Sequence, residues 1–120
     1  MPVTTPTAAA NIHVIRISSI VGVAVAFRIA YDQQSLFDIN SGEVGSFQVP
    51  PGSHAIAVKC FGGLVPIVHT YDVQENFVAG QDYYFQVQPG FFNCAAIQSM
   101  SADQGRSMMA GMTTVPLGNN

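Results

Sequence analysis

The stretch FQVPPGSHAIAVK, residues 47–59, places two prolines and a glycine between two runs that alternate apolar and polar residues. A single Pro-Pro pair without a PxxP repeat is a poor polyproline ligand. Proline sets φ for the first central position of a turn, and glycine accepts the positive φ that follows it. With an alternating run on each side, the segment reads as a corner between two strands. The rest of the chain repeats that alternation. In GVAVAFRIAY, the residues Val23, Val25, Phe27, Ile29 and Tyr31 share one face, while Ala24, Ala26, Arg28 and Ala30 share the other. In SHAIAVKCF the inward set is Ile56, Val58 and Cys60. In DYYFQVQ it is Tyr83, Phe85 and Val87, which leaves Tyr84 outside. NIHVIRIS, GSFQV and LVPIVHTYDV alternate in the same way, and FFNCAAIQ does so more loosely. Turn signals separate these runs: DQQ, NSGE, PPGS, GG and VAGQD. Seven or eight short strands at intervals of about ten residues predict an all-β fold, an antiparallel β-sandwich or barrel.

One short helix is expected near the C-terminus, over 101–109. Ser101 and Gln104 form a capping-box pattern, and Asp103 suits the positive end of the helix dipole. Gly105 weakens this helix, so packing of Met108 and Met109 onto the sheet is needed to hold it. The ends, MPVTTPTAAA (1–10) and AGMTTVPLGNN (110–120), lack alternation and charge and read as extended arms around a sandwich domain of residues 11–109.

The chain has 120 residues, one domain by length, and is 48% hydrophobic. Its charge is sparse. Asp, Glu, Lys and Arg make up 9%, against roughly 25% in an ordinary domain. Four basic residues and a net charge of −3 offer no electrostatic footprint for nucleic acid. The first ten residues have neither a basic nor an apolar signal-peptide region. The longest apolar run, SIVGVAVAF, is far shorter than the roughly 18 residues of a membrane span. Cys60 and Cys94 match neither a zinc nor a CxxC spacing, and both buried thiols and a disulfide fit them.

Catalytic motifs are not visible in the sequence. His13, His54 and His69 lack metal-ligand spacing. Ser53 and His54 are adjacent in a strand and so point to opposite faces, which rules them out as a nucleophile–base pair. The acidic residues lie mostly in or beside turns, and GxSxG, P-loop and GxGxxG patterns are missing. No metal or cofactor and no enzyme activity are expected. The aromatics Tyr71, Phe77, Tyr83, Tyr84, Phe85, Phe91 and Phe92 suit cross-strand packing, with an exposed docking patch as the alternative.

The run from VAFRIAY through FQVPPGSHAIAVK to VAGQDYYFQVQ and the short helix resembles a domain of unknown function found in bacterial lipoproteins. It also resembles PEGA-type sandwich domains. Pro51, Gly52, His54 and Ile56 match the corner of that pattern, and Ala79, Gly80, Tyr83, Tyr84 and Phe85 match a later strand. The resemblance covers roughly residues 12–109, implies a prealbumin-like β-sandwich, and carries no catalytic residues. The expected role is therefore that of a non-enzymatic assembly protein. It would join copies of itself or a larger particle, as a virion decoration or auxiliary shell protein does. The alternative is an exported or periplasmic accessory binding module. A weakly charged surface favours protein partners, with Pro2, Val3, Tyr84, Met112, Val115 and Leu117 as interface anchors.

Overall fold

The computed structural model describes residues 9–17, 27–32, 34–62, 67–88 and 96–115. These form nine strands and one helix: β1 (Ala10–Ile15), β2 (Phe27–Tyr31), β3 (Gln34–Ile39), β4 (Glu43–Val49), β5 (Gly52–Gly62), β6 (Ile67–Phe77), β7 (Asp82–Gln88), β8 (Ala96–Met100), α1 (Ala102–Met109) and β9 (Thr113–Val115). One sheet has the order β8-β7-β1-β4-β9 and the other β3-β2-β5-β6. The protein is an all-β sandwich with a short C-terminal helix.

Alternation places the core where the sequence puts it. Ile12 and Val14 of β1, Phe47 and Val49 of β4, and Phe85 and Val87 of β7 meet Phe27, Ile29, Phe37, Ile39, Ile56, Val58 and Phe77 of the facing sheet. Each fully buried aliphatic or aromatic side chain contributes about 1.5–3 kcal/mol, so this layer is the main source of stability. Gly45 belongs to the same layer. A Cβ there would strike the ring of Phe37 on the opposing sheet, so the close approach of β4 to β3 depends on glycine.

The corner in FQVPPGSHAIAVK carries the chain from β4 in one sheet to β5 in the other. Gly52 has φ +124°, a conformation that favours glycine. The helix starts where the capping pattern puts it, with Ser101 as the N-cap just outside the first helical residue, Ala102. The Ser101 hydroxyl accepts a hydrogen bond from the Gln104 amide at 3.2 Å, a cap worth about 1 kcal/mol.

Two expectations change. The sandwich is not purely antiparallel, because β1 runs parallel to β7 and β4 parallel to β9. Periodicity reports which face a residue occupies but not strand direction, which the crossovers decide. Of the two arms, the N-terminal one also ends earlier than expected and the C-terminal one starts later. Ala10 opens β1 and is fully buried. Thr113–Val115 pair with β4, Met112 packs beside Ile15, Val44 and Tyr84, and Val115 packs on the main core. Met112 and Val115 are therefore used within their own domain. Ladder hydrogen bonds and local burial offset the entropy of ordering these residues without a neighbour. Pro2, Val3 and Leu117 lie outside the described residues, as do Cys94, Phe91, Phe92 and the side chain of Cys60.

Among the described residues, the one charge in the interior is Arg16, 1% exposed. Its guanidinium lies 4.0 Å from the centroid of Phe27 and donates to the Ile39 carbonyl at 3.0 Å, joining the end of β1 to the facing sheet. Burial lowers its pKa, partly offset by Glu43.

Candidate functional site

The outer face of the five-stranded sheet is divided into two halves. Outward residues alternate along each strand: Asn11, His13 and Ile15 on β1, Val44, Ser46 and Gln48 on β4, and Asp82 and Tyr84 on β7. Over Ile15, Val44 and Tyr84 lies α1, with Met100, Met108, Met109 and Met112 filling the seam. Gly105 is the one buried residue of the helix, and a Cβ there would run into Cβ, Cγ and Cδ2 of Tyr84. Tyr84 does point away from the sandwich interior, as alternation requires. It is not exposed, however: only 6% of it is accessible. The expectation of an external Tyr84 is corrected by the helix folding back over it. The reading of Gly105 also changes, since the residue that weakens the helix is the one that lets it sit down on the ring.

The other half of this face stays open and polar. His13 and Ser46 are directly opposed on antiparallel β1 and β4. Their side chains meet with Nδ1 2.7 Å from the Ser46 hydroxyl oxygen. Nε2 of the same ring lies 3.2 Å from Asp82 Oδ1 on β7. The ring stacks on Tyr84 at 4.8 Å between centroids, 22° from parallel. A consistent proton arrangement is available: Ser46 O–H donates to Nδ1, and Nε2–H donates to Asp82. Beside the ring is a hollow of about 390 Å³ lined by Asn11, His13, Ser46, Phe47 and Gln48. Gln48 Nε2 donates to Asn11 Oδ1 across it, at 3.0 Å. Sequence reasoning missed this set. Ser46 is 33 residues from His13 and Asp82 is 69 away, so only the register of three strands brings them together.

The second histidine serves the corner. His54 Nε2 donates to the Pro50 carbonyl at 2.9 Å, and Nδ1 lies 2.7 Å from Asp32 Oδ2. A carbonyl and a carboxylate both accept, so only the doubly protonated ring donates to both. Asp32 sits in the β2–β3 turn at φ +47°, and its other oxygen accepts from the Ala55 amide at 2.8 Å. That backbone bond, and then the His54 bond, hold the Asp32 carboxyl below its ordinary pKa. Tyr31 O–H lies 3.3 Å from His54 Nδ1, and desolvation, with Asp32 second, raises its pKa. The cluster fastens the β2–β3 turn to the PPG corner. Ser53, its sequence neighbour, plays no part in it.

The outer face of the four-stranded sheet is different again, a hollow of about 630 Å³ floored by Ala30, Ala55 and Ala57 and edged by Asp32, Lys59, Thr70, Asp72 and Gln74. Among the described residues, no group of three His, Cys, Asp or Glu side chains is placed to hold a metal ion. No helix among them is long and apolar enough to cross a membrane.

Of the six anchors expected from sequence, the described structure brings Tyr84 and Met112 together in the helix seam and places Val115 on the main core. The open boundary of this sheet lies elsewhere, at β8, which pairs only with β7 among the described strands. Comparison with known protein families, characterised proteins and solved structures finds no match to this chain.

Proposed function

We propose that this protein is a structural assembly protein, a β-sandwich that associates with copies of itself by extending its five-stranded sheet at β8. A virion decoration or auxiliary shell protein is a role of this kind. The observation that carries the reading is the edge itself. Strand β8, AIQSM, presents five residues without a charge or a proline, and Gln98 and Ser99 are exposed on it. Edge strands of monomeric proteins are commonly protected by charge, proline, a bulge or brevity, because their unpaired N–H and C=O groups template another strand. The other edge of this sheet is blunted by brevity, since β9 has three residues.

Sedimentation velocity on the wild-type protein and on the double variant Gln98→Lys/Ser99→Lys tests this. The wild type should sediment as an oligomer and the variant as a monomer with an unchanged melting transition. A monomeric wild type at high micromolar concentration, or a variant that still associates, overturns the reading.

A further inference from the structure

A serine hydroxyl becomes a nucleophile when a base within hydrogen-bond reach takes its proton and a third group orients that base. Ser46, His13 and Asp82 satisfy both relations, at 2.7 Å and 3.2 Å. The imidazole is used in the less usual sense, with Nδ1 toward the hydroxyl and Nε2 toward the carboxylate. The two nitrogens belong to one conjugated ring, so a proton gained at Nδ1 is stabilised by the Nε2–H held against Asp82. Stacking on the buried Tyr84 keeps the ring in place. His13 is 17% exposed at its side chain and Asp82 47%, so the base is sheltered while the carboxylate remains partly hydrated. The adjoining hollow includes the Asn11 and Gln48 amides in its lining. With Asn11 Oδ1 engaged by Gln48, the groups the two amides have left to offer include N–H donors, the kind of group that a developing oxyanion requires.

We propose that Ser46, His13 and Asp82 form an acyl-transfer site for small activated esters, a property beyond the assembly role and independent of it. In the first step, Ser46 Oγ bonds to the ester carbonyl carbon as its proton passes to His13 Nδ1. The bond from that carbon to the leaving oxygen then breaks, the leaving group departs with its electron pair, and His13 returns its proton to that oxygen or, where the leaving group is too weakly basic, to solvent. Water next attacks the acyl-serine, His13 again holds the proton, and release of the carboxylic acid restores Ser46. A hollow of about 390 Å³ suits a short acyl group. Ser46 and His13 touch the reacting atoms, and Asp82 is a positioning residue.

The test is covalent labelling of the intact native protein with diisopropyl fluorophosphate, in which serine oxygen displaces fluoride from phosphorus, with the adduct located by peptide mass spectrometry. Ser46 should be labelled, and the exposed Ser53 and Ser99, which lack a base, should not. Ser46→Ala should abolish the adduct, and His13→Gln should slow labelling on the order of 10²-fold. Asp82→Asn should slow it about tenfold, and Asp82→Glu should restore most of that loss, which a merely structural role for the carboxylate would not produce. With p-nitrophenyl acetate the wild type should release nitrophenolate in a burst followed by slower turnover. An unlabelled Ser46 in the native protein overturns the proposal, as does equally fast labelling in His13→Gln or after denaturation. If His13→Gln fails to fold, Asp82→Asn decides in its place: an unchanged labelling rate there overturns the proposal.

Discussion

In the four-stranded sheet, both edge strands carry carboxylates: Asp38 in β3, and Asp72 and Glu75 in β6. In the five-stranded sheet, neither β8 nor β9 carries any charge. The outer faces differ in the same way. The four-stranded sheet has a hollow lined in part by alanines, with an Arg28–Asp38 ion pair at 2.8 Å on the same sheet. The five-stranded sheet covers half its outer face with α1 and arranges Ser46, His13 and Asp82 on the rest. A chain with only four basic and seven acidic residues has spent them unevenly. Charge of this kind disfavours pairing with a further strand, and the described edges of the other sheet lack it.

The two sheets also differ in how far a tight contact can yield, and paired glycine substitutions expose this. Gly105→Ala should be the more damaging. Its Cβ meets the stem of the Tyr84 ring, which cannot move without the strand, so the helix must lift and uncover the methionine seam. A net loss of about 2–3 kcal/mol is expected by overpacking, even after a gain of about 1 kcal/mol in helix propensity. Chemical denaturation measures the loss, and near-ultraviolet circular dichroism should show the change around tyrosine. Gly45→Ala should cost less, about 1–2 kcal/mol. There the new Cβ meets the tip of the Phe37 ring, near edge strand β3, and that ring can swing outward. If Gly45→Ala proves the costlier of the two, the helix is a loose cover and the contrast between the sheets fails.

The smallest expected effect is confined to acid pH and belongs to the Asp32 cluster. Asp32 has a lowered pKa in the folded protein, from its bond to the Ala55 amide first and to His54 second. A group depressed on folding binds more protons in the unfolded state, so its contribution is present above an aspartate's ordinary value of about 3.9. That contribution is lost as pH falls through the lower, folded value. Urea melts across this acid range should show a shallower decline of stability in Asp32→Asn than in the wild type. Parallel curves would mean that the cluster does not report on folding and that the four-stranded sheet is held at this end by packing alone.

Much of the fold was legible because a strand repeats every two residues. The inward sets Phe27–Ile29, Ile56–Val58 and Tyr83–Phe85–Val87 follow from parity, and the corner follows from the φ demands of proline and glycine. The candidate sites were not legible. His54 stands beside Ser53 in sequence but bonds Asp32, 22 residues away, and His13 finds Ser46 only because β1 and β4 pair in one register. A single faint signal existed for the helix seam: Gly105, a glycine inside an otherwise amphipathic turn, marks close packing as well as weakness.

Sequence alone therefore determined the class of the protein, the inward face of its strands, the corner at residues 50–52 and the capped helix. These depend on φ, ψ and side-chain parity within a few residues. Tertiary structure decided which strands lie side by side and in which direction, where the helix folds back, and which of two faces of a strand is solvent. Tyr84 shows the division plainly. Parity sends it outward, and a helix some twenty residues further along the chain buries it. The same long-range pairing sets Ser46 against His13, because side chains distant in sequence meet only after strand register has fixed both the row and the face they share.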